Sequence, residues 1–243
     1  MLDRDFSHGI LTLRLAHGKA SALDLELCET LRSEFESVAG RDDVRVVILT
    51  GTGSIFCAGV DLPRLINSGG DYVPRLVKAL DDLLRTLFVL PKPVIAAING
   101  HAIAGGAMLA FACDYRLMSS GRIGVPEMLV GVPFPALALE IVRFAVPPHH
   151  LQSLLYLGRT VETDDALTLG IVDETPEITV LMTRALKIAE HFASLAPEAF
   201  AMTKRQIREP YLHPPRTMVD GIWGAAETHQ RIRAYLERTI GKK

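Results

Sequence analysis

Between Ile10 and Leu15 the chain alternates, with Ile10, Thr12 and Arg14 on one side and Leu11, Leu13 and Leu15 on the other, the period of a half-buried strand. The Gly18-Lys19 step turns it. From Asp24 to Gly40, Leu27, Leu31 and Phe35 recur at helical spacing, with acidic Asp24 and Glu26 at the start and Gly40 as a stop. Val44–Thr50 and Pro93–Ile98 are apolar and strand-like, and Tyr72–Leu90 between them places Leu76, Leu80, Leu83 and Leu84 on one helical face. Strand, helix, strand implies a right-handed parallel crossover. Asp114–Met118 adds a strand after a helix that begins near Gly105, so the first half reads as stacked βαβ units. From Ala136 the pattern is helical: 137–146, 150–157, 163–169 closed by Gly170, 180–195 and 197–208. The segment 208–215 holds Pro210, Pro214 and Pro215 and reads as a linker to a last helix over 218–239.

A chain of 243 residues, 49% hydrophobic and 22% charged, can bury a sizeable core, and one compact domain is the default. The formal charge of −2 with scattered basic residues offers no phosphate-tracking stripe, which points to a small-molecule partner and away from nucleic acid. Cys28, Cys57 and Cys113 lack C-x-x-C spacing, so neither a disulfide framework nor a zinc site is indicated, and a reducing compartment fits. The start, Met1-Leu2-Asp3-Arg4-Asp5, has no signal-peptide core, and a cytoplasmic protein is expected. Pro93–Cys113 is nearly uncharged and long enough to span a bilayer, but Asn99, His101 and glycines 100, 105 and 106 favour strand, turn and buried helix.

Three segments carry candidate chemistry. Phe56-Cys57-Ala58-Gly59-Val60-Asp61-Leu62 and Asn99-Gly100-His101-Ala102-Ile103-Ala104-Gly105-Gly106 each follow an apolar strand and open a helix, so their free backbone N–H groups can converge in a positive local field. The third is Gly124-Val125-Pro126-Glu127-Met128-Leu129-Val130-Gly131. Taken singly, Gly105-Gly106 could serve only close helix packing and Ala58-Gly59 an ordinary strand-to-helix turn. In this order the three resemble the motifs of the enoyl-CoA hydratase/isomerase (crotonase) family. Lys19-Ala20-Ser21-Ala22-Leu23 is similar to the family segment whose backbone lies along coenzyme A, with Ser21 in place of the usual asparagine. It also reads as a helix-entry turn capped by Ser21 or Asp24.

The resemblance implies an α/β spiral of ββα units over 1–195, a C-terminal helical region over 196–243 for trimerisation or covering the pocket, and a homotrimer or dimer of trimers. It implies an oxyanion hole from the N–H groups of Val60 and Gly105, with Lys19, Ala20, Ala22, Ala58, Gly59, Asp61, Leu62, Gly106 and Met108 along coenzyme A and substrate. Coenzyme A would enter as part of the substrate, with no metal or redox cofactor. Hydratases of the family carry one glutamate at the position of Met108 and another at that of Glu127; this chain has only the second. Water addition needs positioned acid–base groups, whereas moving a double bond needs one carboxylate to take the α-proton and return it at the γ-carbon. The pattern resembles single-glutamate Δ3,Δ2-enoyl-CoA isomerases, and Val132-Pro133-Phe134-Pro135-Ala136 suits a dry pocket wall that raises the pKa of Glu127. Hydration, decarboxylation or thioester hydrolysis of a specialised acyl-CoA remain alternatives, as does a non-catalytic scaffold binding coenzyme A or RNA. Asp114 or Glu140 stands as a possible substitute for the missing carboxylate. Asp61 reads as a helix cap, His149-His150 as a surface helix entry, and His101 as a buried, hydrogen-bonded structural histidine near the hole.

Overall fold

The computed structural model describes residues 1–214 and 219–239. Pro215 of the expected linker, Met218 at the expected start of the last helix, and residues 240–243 lie outside the described residues.

The chain opens with two strands, β1 (Leu2–Ser7) and β2 (Ile10–Leu15), paired antiparallel around His8 and Gly9. Both turn residues have positive φ, 50° and 78°, the backbone a two-residue hairpin requires. β1 is polar and almost wholly exposed beyond Leu2, so no alternation announced it. α1 (Leu25–Ala39) is capped by Asp24, which accepts the Leu27 N–H at 2.8 Å.

From here the chain climbs in repeats. β3 (Val46–Thr50) and β4 (Ile55–Cys57) lead to α2 (Leu62–Asn67) and α3 (Tyr72–Val89). β5 (Val94–Ile98) and β6 (His101–Ile103) lead to α4 (Gly105–Ala112). β7 (Tyr115–Met118) and β8 (Ile123–Gly124) lead to α5 (Glu127–Val130). Each turn gives one strand to a five-stranded sheet, β1-β2-β3-β5-β7, and one to a four-stranded sheet, β4-β6-β8-β9, where β9 is Thr160–Val161. Pairing is parallel except for the β1/β2 and β8/β9 pairs. The mixed α/β class expected from the sequence is the one observed.

The larger sheet is covered on both faces, which explains why β3 and β5 are buried at every position and apolar at all but Thr50. Val47, Leu49 and Ala96 face the main core with α1, α3 and α4; Val46, Ile48 and Ile95 face a smaller core closed by α9 (Leu181–Ser194). Between these come α6 (Ala136–Ala145), α7 (Pro148–Tyr156) and α8 (Thr163–Thr168). α10 (Pro197–Arg208) is tied to the core by an ionic staple. Asp114 at the mouth of β7 bonds Lys204 at 2.7 Å, Arg208 at 2.8 Å and the Val94 N–H at 2.8 Å. Arg208 also donates to the carbonyls of Phe88, Ala112 and Cys113.

The expected last helix is divided. After a short 3-10 turn at Glu209–Tyr211, α11 (Asp220–Trp223) and α12 (Ala226–Thr239) are separate. Gly224 stands at the break, a poor helix former, and His229 Nε2 satisfies the Trp223 carbonyl at 3.1 Å where the helical ladder stops. Among the described residues no helix is long and apolar enough to cross a membrane. Pro93–Cys113 resolves into strand, turn, strand and buried helix.

Candidate active site

β4 and β6 lie side by side in parallel register, Ile55 beside His101 and Cys57 beside Ala102, so the loops that follow them leave the sheet together. The first loop is laced to the segment before α1. Ala58 N–H donates to Ala20 at 3.1 Å, Leu23 N–H to Gly59 at 2.7 Å and Asp61 N–H to Leu23 at 3.0 Å. Close approach demands glycine twice. At Gly59, where φ is +84°, a Cβ would meet the Ile103 carbonyl at 2.7 Å; at Gly106 one would stand 2.1 Å from the Cys57 carbonyl.

Among the described residues the N–H groups of Val60 and Gly105 donate to no backbone acceptor. They are neighbours in space, since a Cβ on Gly105 would lie 3.9 Å from Val60 N and one on Gly59 would lie 3.2 Å from Gly105 N. Gly105 is the first residue of α4, where donors are free and the helix field is positive. Ala104 before it is held at φ +53°, a left-handed backbone that costs a non-glycine residue about 1–2 kcal/mol. Ser21 is held similarly at φ +44°, a conformation asparagine tolerates better, in the segment where the family usually has asparagine. Asp24, rather than Ser21, is the cap of α1.

Both donors open onto one apolar cavity. Ala58, Val60, Leu62, Gly105, Met108 and Glu127 line it, joined by Leu23 and by Leu80, Leu83 and Leu84 of α3. Glu127 is the one carboxylate on its wall among the described residues, and no lysine, arginine or histidine joins it. Glu127 is 4% exposed while its neighbours Met128 and Leu129 are 51% and 53% exposed, the reverse of ordinary partition. Its Oε2 has no hydrogen-bond partner. Burial pushes the carboxyl up to about 8, against a smaller opposing bond from its own backbone N–H. The Glu127 carbonyl accepts the N–H groups of Gly131 and Val132 at 2.9 and 3.1 Å, closing α5 and holding the side chain inward. Met108, within a turn of Gly105 on α4, lines the cavity wall.

Of the other sequence candidates, Gly59 and Gly106 support the two loops from behind. Asp61 caps α2 by accepting the Arg64 N–H at 2.9 Å. Ala20 and Ala22 are half-buried in the laced segment, and Lys19 is exposed. Neither Asp114 nor Glu140 replaces the missing carboxylate. Asp114 belongs to the α10 staple, Glu140 pairs with Arg143 at 3.0 Å, and neither reaches the cavity. His101 is exposed rather than buried, because it sits at the start of a three-residue strand; its Nδ1 accepts the Arg122 N–H at 3.2 Å. The His149 and His150 rings lie side by side at the entry of α7, and no metal-binding cluster occurs among the described residues.

Sequence reasoning missed two wall residues from the chain's far end, Trp223 of α11 and Tyr235 of α12. The Trp223 indole donates to the Pro133 carbonyl at 2.8 Å. The Tyr235 phenol is pushed up by burial and then by the Glu127 charge. Trp223 is the only tryptophan in the chain, the one signal that could have singled it out. The three thiols are buried and burial raises them all, Cys57 and Cys113 to about 12.

The two-sheet spiral, with a loop-and-helix donor pair at its strand ends, is a crotonase fold. A human mitochondrial delta3-delta2-enoyl-CoA isomerase superposes with a TM-score of 0.94 at 23% identity, over 100% of this chain and 99% of that one. The enoyl-CoA hydratase EchA3 of Mycobacterium ulcerans gives 0.79 at 28% identity, over 96% and 95%. A Thermus thermophilus protein named "Putative enoyl-CoA hydratase" is 34% identical over 190 residues, 76% of this chain and 75% of its own length. The enoyl-CoA hydratase/isomerase family model matches residues 5–221. The chain belongs to the enoyl-CoA hydratase/isomerase family.

Proposed function

We propose that this enzyme is a Δ3,Δ2-enoyl-CoA isomerase in which Glu127 moves the proton. The observation that carries the proposal is a single buried carboxylate, unpartnered at Oε2 and facing an otherwise apolar wall, with Met108 in the second glutamate's place. The thioester oxygen of a 3-enoyl-CoA accepts the Val60 and Gly105 N–H groups, while the segment 19–22 offers its backbone to coenzyme A. Ionised Glu127 takes a proton from C2; the C–H pair moves into C1–C2 and the oxygen becomes enolate-like. Two fixed N–H donors favour that charge over the neutral thioester, each lowering the barrier by about 3–4 kcal/mol. Glu127 then returns the proton at C4, the C3–C4 π pair forms the new C–H bond, the C2–C3 double bond appears and the carbonyl is restored. No water, metal or redox cofactor takes part in that sequence of steps.

An apolar wall serves both halves. It keeps water from the dienolate and holds the carboxyl near neutrality, so that it is a strong base when ionised and a ready acid when protonated. Hydration would need a second group to hold and activate water, and Met108 does neither. The test is to supply trans-3-hexenoyl-CoA and, separately, trans-2-hexenoyl-CoA. Conjugation of the first without hydration of the second supports the isomerase; efficient hydration of the second overturns it.

A further inference from the structure

We propose that Trp223 is the stop that sets how long an acyl chain this enzyme takes, and that the chain it admits ends in hydrocarbon. The inference rests on the acyl-thioester function proposed above and extends it to the far end of the cavity. Val60, Gly105 and Glu127 fix where C1 and C2 lie. Beyond them the wall runs along α3, where Leu80, Leu83 and Leu84 share a face about one helical turn long. The two C-terminal helices divide the remaining wall. α12 packs against α2 and against α5, the helix that carries Glu127; α11 packs against α3, so Trp223 closes the wall beside the leucine row.

The indole is fixed in that position. Trp223 is 4% exposed, and its Nε1–H bonds the Pro133 carbonyl at 2.8 Å in the Val132–Pro135 segment, whose Val132 and Pro135 also line the cavity. Swinging the ring aside would break that bond and leave the partly buried Pro133 carbonyl without its donor, a cost that one added methylene does not offset. A methionine or leucine at this place would yield; a hydrogen-bonded indole between a leucine row and two prolines acts as a rigid floor. The same wall carries no cation among the described residues, so an acyl group with a distal carboxylate would be buried unpaired.

The single tryptophan makes the test direct, because binding alone is read and no turnover is needed. Wild-type protein is titrated with saturated acyl-CoAs from four to sixteen carbons while indole emission is followed. Affinity should rise about fourfold per added methylene until the tail meets the ring, where emission shifts and the rise stops. In W223A, followed by calorimetry, the break should move to longer chains. The kcat/KM ratio of the longest to the shortest 3-enoyl-CoA should rise by about tenfold or more. W223F should fall between the two, and a thioester with a terminal carboxylate should bind at least about tenfold more weakly than its methyl-ended counterpart.

Emission indifferent to chain length, or a break unmoved in W223A, would overturn the assignment. If W223A does not fold, the wild-type emission series and W223F still decide it. Binding without isomerisation of 3-enoyl-CoAs would defeat the isomerase while leaving the emission series to judge Trp223. Failure to bind any acyl-CoA defeats both.

Discussion

Two carboxylates packed into this protein have opposite surroundings. Asp114, at the mouth of β7, accepts from Lys204, Arg208 and the Val94 N–H, and through them holds α10 against the sheet. Glu127, on α5, is the more deeply buried of the two, yet among the described residues one oxygen meets no donor and its wall carries no cation. A carboxylate with every oxygen satisfied builds structure; one kept bare in an apolar wall is destabilised as an anion and therefore available to take a proton. The contrast separates stability from chemistry within one chain, and substitution can test each side of it.

The largest effect is expected from E127Q, which keeps shape and removes the base. Isomerisation should fall by about 10²- to 10⁴-fold while circular dichroism and acyl-CoA binding remain. Next comes D114A, which leaves Lys204 and Arg208 buried without their counter-ion. Urea unfolding should show a loss of about 3–5 kcal/mol, with the activity of the molecules still folded little changed.

The pH dependence sharpens the comparison further. Folded Glu127 titrates near 8 and its ordinary value is 4.5, so the native state holds a proton that the unfolded chain releases across that window. Stability from this group is present below about 4.5 and is lost as pH rises through about 8; E127Q lacks the loss and should be the more stable protein at pH 9 by roughly 2–4 kcal/mol in urea melts. Catalysis runs the other way. Because the proposed reaction starts from the ionised form, kcat/KM should climb about tenfold per pH unit and level off above about 8. The smallest effect is expected from M108E. A second carboxylate in the cavity should move that plateau to higher pH by like-charge repulsion and add slow hydration of trans-2-hexenoyl-CoA, detectable as 3-hydroxyacyl product.

Much of the scaffold was legible in the sequence because burial there is uniform or periodic. Residues 46–49 and Val94–Ile98 are apolar throughout since both faces of their sheet are covered, and Leu76, Leu80, Leu83 and Leu84 mark one face of α3. β1 escaped because an edge strand with polar faces carries no alternation. β4, β6, β8 and β9 are two or three residues long, shorter than any period can register. The motif loops were legible through glycines that a Cβ would forbid, at 59 and 106. Other parts of the site arise only from tertiary contacts. Nothing in Pro-Glu-Met-Leu says that the acid turns inward while methionine and leucine turn out. Trp223 and Tyr235 reach the cavity across about a hundred residues of chain, through a break at Gly224 that local pattern reads as continuous helix.

The three buried thiols bear on what this protein would make. A trans-2-enoyl thioester is a Michael acceptor, and thiolates add to its β-carbon. At pH 8 a thiol titrating near 12, as Cys57 and Cys113 do, is ionised in only about one molecule in ten thousand. Cys57 further spends its hydrogen on the Ser21 carbonyl, directly behind the loop over 58–62. With its thiols packed in this way, a member of the enoyl-CoA hydratase/isomerase family offers such an electrophile few thiolates, a self-protection that comes from close packing alone.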